Sequence, residues 1–481
     1  MTLGNGEAKT LRHEAPLAIG ELCRALLRAI DAGQRLAAFF GRPLERGVRL
    51  HAVLADDAAR LLTALSADVG DRFPSLTPDC PQAHLFEREI HEQHGVLPEG
   101  HPWLKPVRSH DAPYPFFRVE GEEIHEVAVG PVHAGIIDPG HFRLQCHGET
   151  VESLEIHLGY QHRGVEEALV GGPGRRSALL LECTAGDTTI GHALAYAEAC
   201  EALAGCEAPP RAQAIRTVAL EMERLANHVG DLGALGTDIG FLPTSAWFGR
   251  LRGEFLNMLM TLTGSRYGRG LIRPGGVLAD LPDPMADDFA RRLTTARDEL
   301  RDIAAQFFDT PSVRARLEGT GALSLEACDR LGLLGPVARA CGARREVRHD
   351  HPSGLWRTAP IPVATARGGD VLGRAQVRRL EIEHSLDYLL ALLPALPEGP
   401  VATPCGRPAP DSLAVAMVEG WRGEITHTVV TDDAGRFARY KIKDPSFQNW
   451  TGLALALRGM QVSDFPLCNK SFNLSYAGHD L

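Results

Sequence analysis

The sequence has no Cys-x-x-Cys pair. Its ten cysteines stand at 23, 80, 146, 183, 200, 206, 328, 341, 405 and 468, too sparse for a disulfide scaffold and outside the paired spacings that hold zinc or a cluster. Long apolar runs are also missing: nothing approaches the roughly 18 to 20 residues that cross a bilayer. The stretch Met1 to Ala15 is polar, without the apolar core of a secretory leader. Lysine is scarce, at five residues, so the positive charge is almost all arginine. Acidic residues outnumber basic ones 61 to 50, for a formal charge of -11, which argues against a nucleic-acid-binding surface. What remains is a chain of 481 residues, 44% hydrophobic and 23% charged. That is enough apolar material for packed cores and enough length for two or three domains of roughly 150 residues. The expectation is a globular cytosolic protein.

Neither an internal repeat nor a low-complexity tract divides the chain. The pattern predicts a helix from Leu17 to Phe40, a strand from Val48 to Leu54 and a helix from Asp56 to Val69. Pro106, Pro113 and Pro115 then interrupt a stretch with little apolar periodicity, which places a boundary near 112 to 122. Strand character follows from 127 to 160 around the turn His147-Gly148-Glu149, and helical character from about 177. The clearest helix runs from Pro209 to Asp231, where Ile215, Val218, Met222, Leu225, Val229 and Leu232 form one apolar stripe. Its opening prolines sit where a missing amide costs nothing. Further helices are predicted over Ser245 to Thr263, Met285 to Phe307 and Arg374 to Leu393, and strands over 412 to 443. The predicted architecture is an α+β domain, residues 1–115, followed by a mainly α-helical domain with peripheral sheet, residues 122–481.

Single motifs carry little. His91-Glu92-Gln93-His94 lacks the i, i+4 histidine spacing of a zinc protease. Gly171-Gly172-Pro173-Gly174-Arg175-Arg176 lacks the Lys and Ser/Thr of a phosphate loop, and Gly233, Gly236 and Gly240 miss the dinucleotide fingerprint. Glu221, Arg224 and His228 share one helix face by spacings of three and four, and a histidine there has a reference pKa near neutrality.

Taken together, several segments form a recognisable series. They are Gly130-Pro131-Val132-His133, Pro139-Gly140-His141-Phe142-Arg143, His162-Arg163-Gly164 and Glu221-Met222-Glu223-Arg224-Leu225-Ala226-Asn227-His228. Arg273-Pro274-Gly275-Gly276-Val277, Gly335-Pro336-Val337-Ala338-Arg339, Gly369-Asp370-Val371 and Asp444-Pro445-Ser446-Phe447-Gln448-Asn449 continue it. The series resembles the large subunit shared by membrane-bound (group 4) nickel–iron hydrogenases and complex I, and the segment Pro139 to Arg143 looks closer to the formate hydrogenlyase and hydrogenase-4 branch. Phe73 to Pro78, Phe86 to His91 and Pro98 to Pro102 resemble the small complex I subunit fused ahead of it in that branch.

The resemblance implies site residues, position by position. Nickel–iron members use two Cys-x-x-Cys pairs, because soft thiolates hold those metals and hydroxyls do not replace them. The early pair falls on Ala185-Gly186-Asp187-Thr188, with Cys183 just outside, and the late pair is expected within Asp464 to Asn469, where only Cys468 remains. No nickel–iron centre is therefore expected. The quinone pocket of complex I matches only at Asp238. Its tyrosine position falls near Gly186, and Ala134 to Asp138 holds no histidine, although His133 and His141 flank that loop. Arg163 and His228 map onto residues beside the terminal iron–sulfur cluster of a partner, with Glu221 and Arg224 expected to orient the His228 ring.

These implications lead to a subunit of an ion-translocating, hydrogenase-related or NADH-dehydrogenase-like oxidoreductase complex that has lost its metal site. Its partners would be an iron–sulfur subunit and membrane-embedded antiporter-like subunits, on the inner face of the cell membrane. Two other readings stay open. One is a quinone-reducing subunit with a remodelled cavity near His133, His141, Asp187 and Asp238; the other is a structural subunit.

Overall fold

The computed structural model describes residues 1–133 and 137–481. Near the amino terminus, the apolar run Leu36-Ala37-Ala38-Phe39-Phe40 is buried on both faces, so it has no alternation to read. It forms a strand, and this corrects the helix expected from Leu17 to Phe40. Only α1 (Ile19–Asp31) is helical; Gly33 then adopts φ +89°, and β3 (Arg35–Pro43) follows. The second expected helix, Asp56 to Val69, is also a strand. Its Leu- and Ala-rich composition suits a helix, but Leu62, Ala64, Ala67 and Val69 face into packed layers. With β1 (Thr2–Leu3), β4 (Val48–Asp56) and β5 (Leu61–Val69), the sheet order is β1-β5-β4-β3, all antiparallel.

One face of this sheet packs on α1 and on α2 (His84–His94) through Leu22, Leu26, Phe39, Leu50 and Phe86. The other face meets a second sheet. That sheet consists of β9 (Ser412–Gly420), β10 (Gly423–Thr431) and β11 (Phe437–Lys443), edged by the distant segment β2 (Glu7–Thr10), in the order β11-β10-β9-β2. Every residue of β9 and β10 is buried. The expected peripheral sheet is therefore central here, and its buried polar residues Thr426 and Thr428 mask the usual inside–outside alternation.

Alternation along β11 sorts the two faces. Tyr440 and Ile442 join an apolar cluster with Tyr196 and Leu203. Arg439, Lys441 and Lys443 point the other way, into a layer of ion pairs. Lys441 meets Glu89 at 2.6 Å and Glu166 at 3.0 Å, Arg439 meets Glu166 at 2.9 Å, and Lys443 meets Glu424 at 2.7 Å. Arg35 bridges Glu424 and Asp57.

A third antiparallel sheet, β6 (Ile124–Val129), β7 (His141–His147) and β8 (Thr150–His157), has the turn at His147 to Glu149 where the sequence predicts it. The helical part is built around α4 (Pro210–Asp238). Its predicted stripe is buried, but so are Arg216, Glu221, Glu223, Arg224 and His228, so the helix is enclosed on all sides. It packs on α3 (Thr189–Ala204), α5 (Leu242–Thr263) and α7 (Val371–Leu392), with α6 (Asp283–Asp309) behind α5. Gly233 and Gly236 let α5 approach: a Cβ at Gly233 would lie 3.1 Å from the Phe248 Cβ.

Candidate functional site

Five separate stretches line a cavity of about 440 Å³: Ile137 and Asp138, Gly186 and Asp187 just before α3, Tyr267 and Arg269, Arg422 between β9 and β10, and Asn473 to Tyr476 near the carboxyl terminus. The guanidinium of Arg422 is its central feature. Nη1 donates to Asp187 Oδ1 at 2.6 Å and Nη2 to Oδ2 at 2.7 Å, a two-pronged fit. Nη1 also reaches Thr188 Oγ1 at 3.0 Å, Nε donates to the Asn473 carbonyl at 2.5 Å, and the plane stacks 3.9 Å from the Trp421 ring. Burial pushes the Asp187 carboxyl up, but the charge and hydrogen bonds of Arg422 overcome it and hold the group below its ordinary value. At the cavity edge the Tyr476 hydroxyl lies 3.5 Å from His133 Nε2. Burial raises the Tyr476 phenol to about 12 and lowers the His133 imidazole, so both are neutral at pH 7.

Of the four expected cavity residues, Asp187 lines the cavity paired with Arg422, and His133 reaches its edge beside Tyr476. The other two lie elsewhere. His141 opens β7 against the Phe116 ring, 5.1 Å between centroids and across from His157. Asp238 is exposed at the last turn of α4, away from the cavity. Residues 134–136 of the loop where complex I places its histidine lie outside the described residues. The late segment is also corrected. Asn473 to Tyr476 faces Gly186 and Asp187, whereas Cys468 is buried in an apolar cluster, 3.9 Å from Arg374 Nη2. The displaced segment had no cysteine to mark it.

Arg163 anchors both walls. Its guanidinium donates to the carbonyls of Gln161, Cys183, Thr184 and Ala477, at 3.1, 2.5, 3.0 and 2.9 Å. Among the described residues it forms no ion pair, so a fixed positive charge stays at an exposed position.

His228 is enclosed instead. Its Nε2 lies 2.7 Å from Glu381 on α7, which also takes Arg339 at 2.6 Å and Arg224 at 3.3 Å. The ring orientation expected from Glu221 and Arg224 comes from Glu381. Glu221 is engaged by Arg348 at 2.9 Å and Ser385 at 2.6 Å. A partner 153 residues away in sequence gave no local signal. The His228 ring meets Trp421 edge-on at 6.1 Å, and Trp421 Nε1 donates to the Asp187 carbonyl, so His228 sits one side chain behind the Asp187–Arg422 pair. Burial lowers its pKa, with Glu381 opposing.

The sequence reading missed a buried relay. Tyr440 hydroxyl and His427 Nδ1 are 2.9 Å apart, His427 Nε2 and His192 Nδ1 3.1 Å, and His192 Nε2 and Asp444 Oδ2 3.1 Å. One set of tautomers satisfies all three bonds with every donor pointing toward Asp444: Tyr440 donates to His427, His427 to His192 and His192 to Asp444.

A family model for "Respiratory-chain NADH dehydrogenase, 49 Kd subunit" matches residues 238–407 and 403–480. The chain belongs to that family. A second model, for the 30 Kd subunit of the same dehydrogenase, matches residues 19–116. Among relatives of this 49 Kd family member, formate hydrogenlyase subunit 5 of Escherichia coli is 32% identical over 443 residues, covering 85% of this chain and 77% of that protein. NADH-quinone oxidoreductase subunit 4 of Thermus thermophilus is 29% identical, covering 71% and 90%. A chain from the membrane-bound sulfane sulfur reductase, an archaeal respiratory membrane complex, superposes with a TM-score of 0.70 at 27% identity, covering 75% of this chain and 99% of its own.

The 49 Kd family's hydrogenase branch implies a nickel–iron centre, and the residues here do not fit one. Among the described residues the cavity's oxygen donors are carboxylate, hydroxyl and carbonyl groups, Arg422 takes up the Asp187 carboxylate, and no thiol lines the space. Hard oxygen ligands do not replace four thiolates. Among the described residues no group of three or more His, Cys, Asp or Glu is placed to hold a metal ion, and no helix is long and apolar enough to cross a membrane.

Proposed function

We propose that this chain is the cavity-bearing subunit of a membrane-associated oxidoreductase complex, in which an ion pair stands where related proteins carry thiolates. The Asp187–Arg422 pair, at the junction of the early and late segments, carries this reading. Residues 1–115 act as the small-subunit unit fused ahead of residues 122–481, as the separate 30 Kd match supports. An iron–sulfur partner docks over Arg163, where a cation without a carboxylate suits an anionic cluster. Antiporter-like membrane subunits hold the assembly at the inner face of the membrane. Gentle affinity purification from detergent-treated membranes tests this. An iron–sulfur subunit and polytopic partners are expected to co-purify, and recovery of the chain alone would overturn the assignment.

A quinone as the cavity's substrate is supported by one observation, the neutral His133–Tyr476 pair, which offers donors to a carbonyl oxygen. The buried relay ending at Asp444 lies behind the same wall, since a Cβ on Gly478 would sit 2.7 Å from the Asp444 carboxyl carbon. It can hold a proton for reduction. Tyr476→Phe is expected to raise the KM for a short-chain quinone; an unchanged KM and kcat would remove that role.

A further inference from the structure

A second cavity, of about 380 Å³, lies away from the Arg422 site, between α2, the segment 103–117, β8 and α8 (Ser446–Ala456). The volume is in the range of small-molecule sites. Its walls are apolar and rich in rings: Trp103, Tyr114 and Trp450 line it beside Leu154, Ile156 and Leu455. Its charge does not balance. Arg88, only 7% exposed, donates from Nε to the Lys105 carbonyl at 2.7 Å and from Nη2 to the Pro106 carbonyl at 2.6 Å, but meets no carboxylate among the described residues. Arg458, on the rim, likewise forms no ion pair among the described residues. The one lining carboxylate, Glu155, is already matched by Lys105 at 2.5 Å. Arg88 thus borders an apolar space without a carboxylate partner, and Arg458 stands exposed at its mouth, so an anion entering the space would meet positive charge from both.

Further lining groups are also unsatisfied. His84 Nδ1, His157 Nε2 and Trp450 Nε1 have no hydrogen-bond partner among the described residues, and several such atoms around one cavity call for a reason. Burial pushes His84 down to about 3 and His157 to about 4, so neither ring is charged at pH 7 and the positive field comes from the arginines.

We propose that this cavity binds a planar aromatic anion: a ring against Trp103, Tyr114 and Trp450, and a single carboxylate facing Arg88 and Arg458. The site is independent of the electron-transfer reading, since it shares no residue with the Arg422 cavity.

Because Trp103 and Trp450 line the space, 2-naphthoate titrated into the full-length protein is expected to quench tryptophan fluorescence saturably, with one site by calorimetry. 2-Naphthol, the same ring system without the charge, is expected to bind about ten-fold more weakly. Arg458→Gln, at an exposed position, is expected to weaken naphthoate about five-fold and leave naphthol unchanged. Ala454→Phe fills the space and is expected to abolish binding, along with the naphthoate-induced rise in Tm. If that variant fails to fold, the Arg458→Gln and naphthol comparisons decide alone. No saturation at millimolar naphthoate, equal affinity for naphthol, or undiminished binding by folded Ala454→Phe would each overturn the proposal.

Discussion

The layer between the two sheets and the Arg422 cavity are built from the same side chains, yet they differ in closure. In the layer each charge is shared: Lys441 serves Glu89 and Glu166, and Glu424 serves Lys443 and Arg35. Among the described residues the cavity holds one ion pair, with the Asp187 side chain 33% exposed, beside open volume. Shared, sealed charges fix the mutual position of two sheets, because any rearrangement strands a partner in a low dielectric. A lone pair at the edge of a cavity can open toward a ligand or a proton. Closure, rather than the residue types, separates the structural site from the candidate reactive one.

Breaking the closed side is expected to have the largest effect. Lys441→Met leaves Glu89 and Glu166 adjacent with only the flanking arginines, and a loss of about 3–5 kcal/mol is expected in urea unfolding. Asp187→Asn at the open side is expected to cost about 1–3 kcal/mol, since Arg422 keeps Thr188 and the Asn473 carbonyl. Equal losses at the two positions would remove the distinction. The open pair also has a pH signature. Asp187 is depressed in the folded state, so below its unfolded value the unfolded chain binds more protons. Its stabilisation is therefore complete above the ordinary carboxylate pKa of about 4 and fades as pH falls through the folded value. The wild-type minus Asp187→Asn difference in stability is expected to be flat from neutral pH to about pH 4 and to shrink below it. A difference that shrinks already near neutrality would place the titration elsewhere.

The same contrast explains what the sequence disclosed. The α4 stripe was legible because its apolar spacing survives burial on every side. The strands β3 and β5 were not, because sandwiching erases alternation and alanine-rich strands imitate helices. At the site, Asp187 could be placed from the early segment alone. Arg422, Tyr476 and Glu381 come from remote parts of the chain, and only the fold joins them to Asp187 and His228. The absence of a Cys-x-x-Cys pair is plain in the sequence, but the Asp187–Arg422 pair, proposed above to stand in its place, spans 235 residues and leaves no spacing to read.

His228 and Arg163 sharpen the comparison in the assembled complex, one enclosed and one exposed. In the proposed complex His228, its pKa lowered by burial and opposed by Glu381, would be the group that takes up a proton on reduction of the partner's cluster. His228→Met is expected to flatten the pH dependence of that cluster's potential, from as much as about 59 mV per pH unit toward zero. Arg163→Gln is expected to lower the potential at every pH without changing the slope. An unaltered slope in His228→Met would sink the proton-coupling role while leaving the docking face intact.

An effect no larger than that at Asp187 is expected at the relay, which is sealed like the ion-pair layer yet lies directly behind the cavity wall. Tyr440→Phe removes the terminal donor and leaves His427 Nδ1 without a partner, at a cost of about 1–3 kcal/mol. His192 and Asp444 keep their own bond, and the cavity residues are untouched. If the relay is purely structural, thermal stability falls and the solvent isotope effect on quinone reduction stays as in wild type. If it holds the proton used in the cavity, the isotope effect rises along with the loss of stability, because the chain of donors toward Asp444 now begins at an imidazole with no proton behind it. The pair of measurements separates a sealed site that only supports the cavity from one that communicates with it.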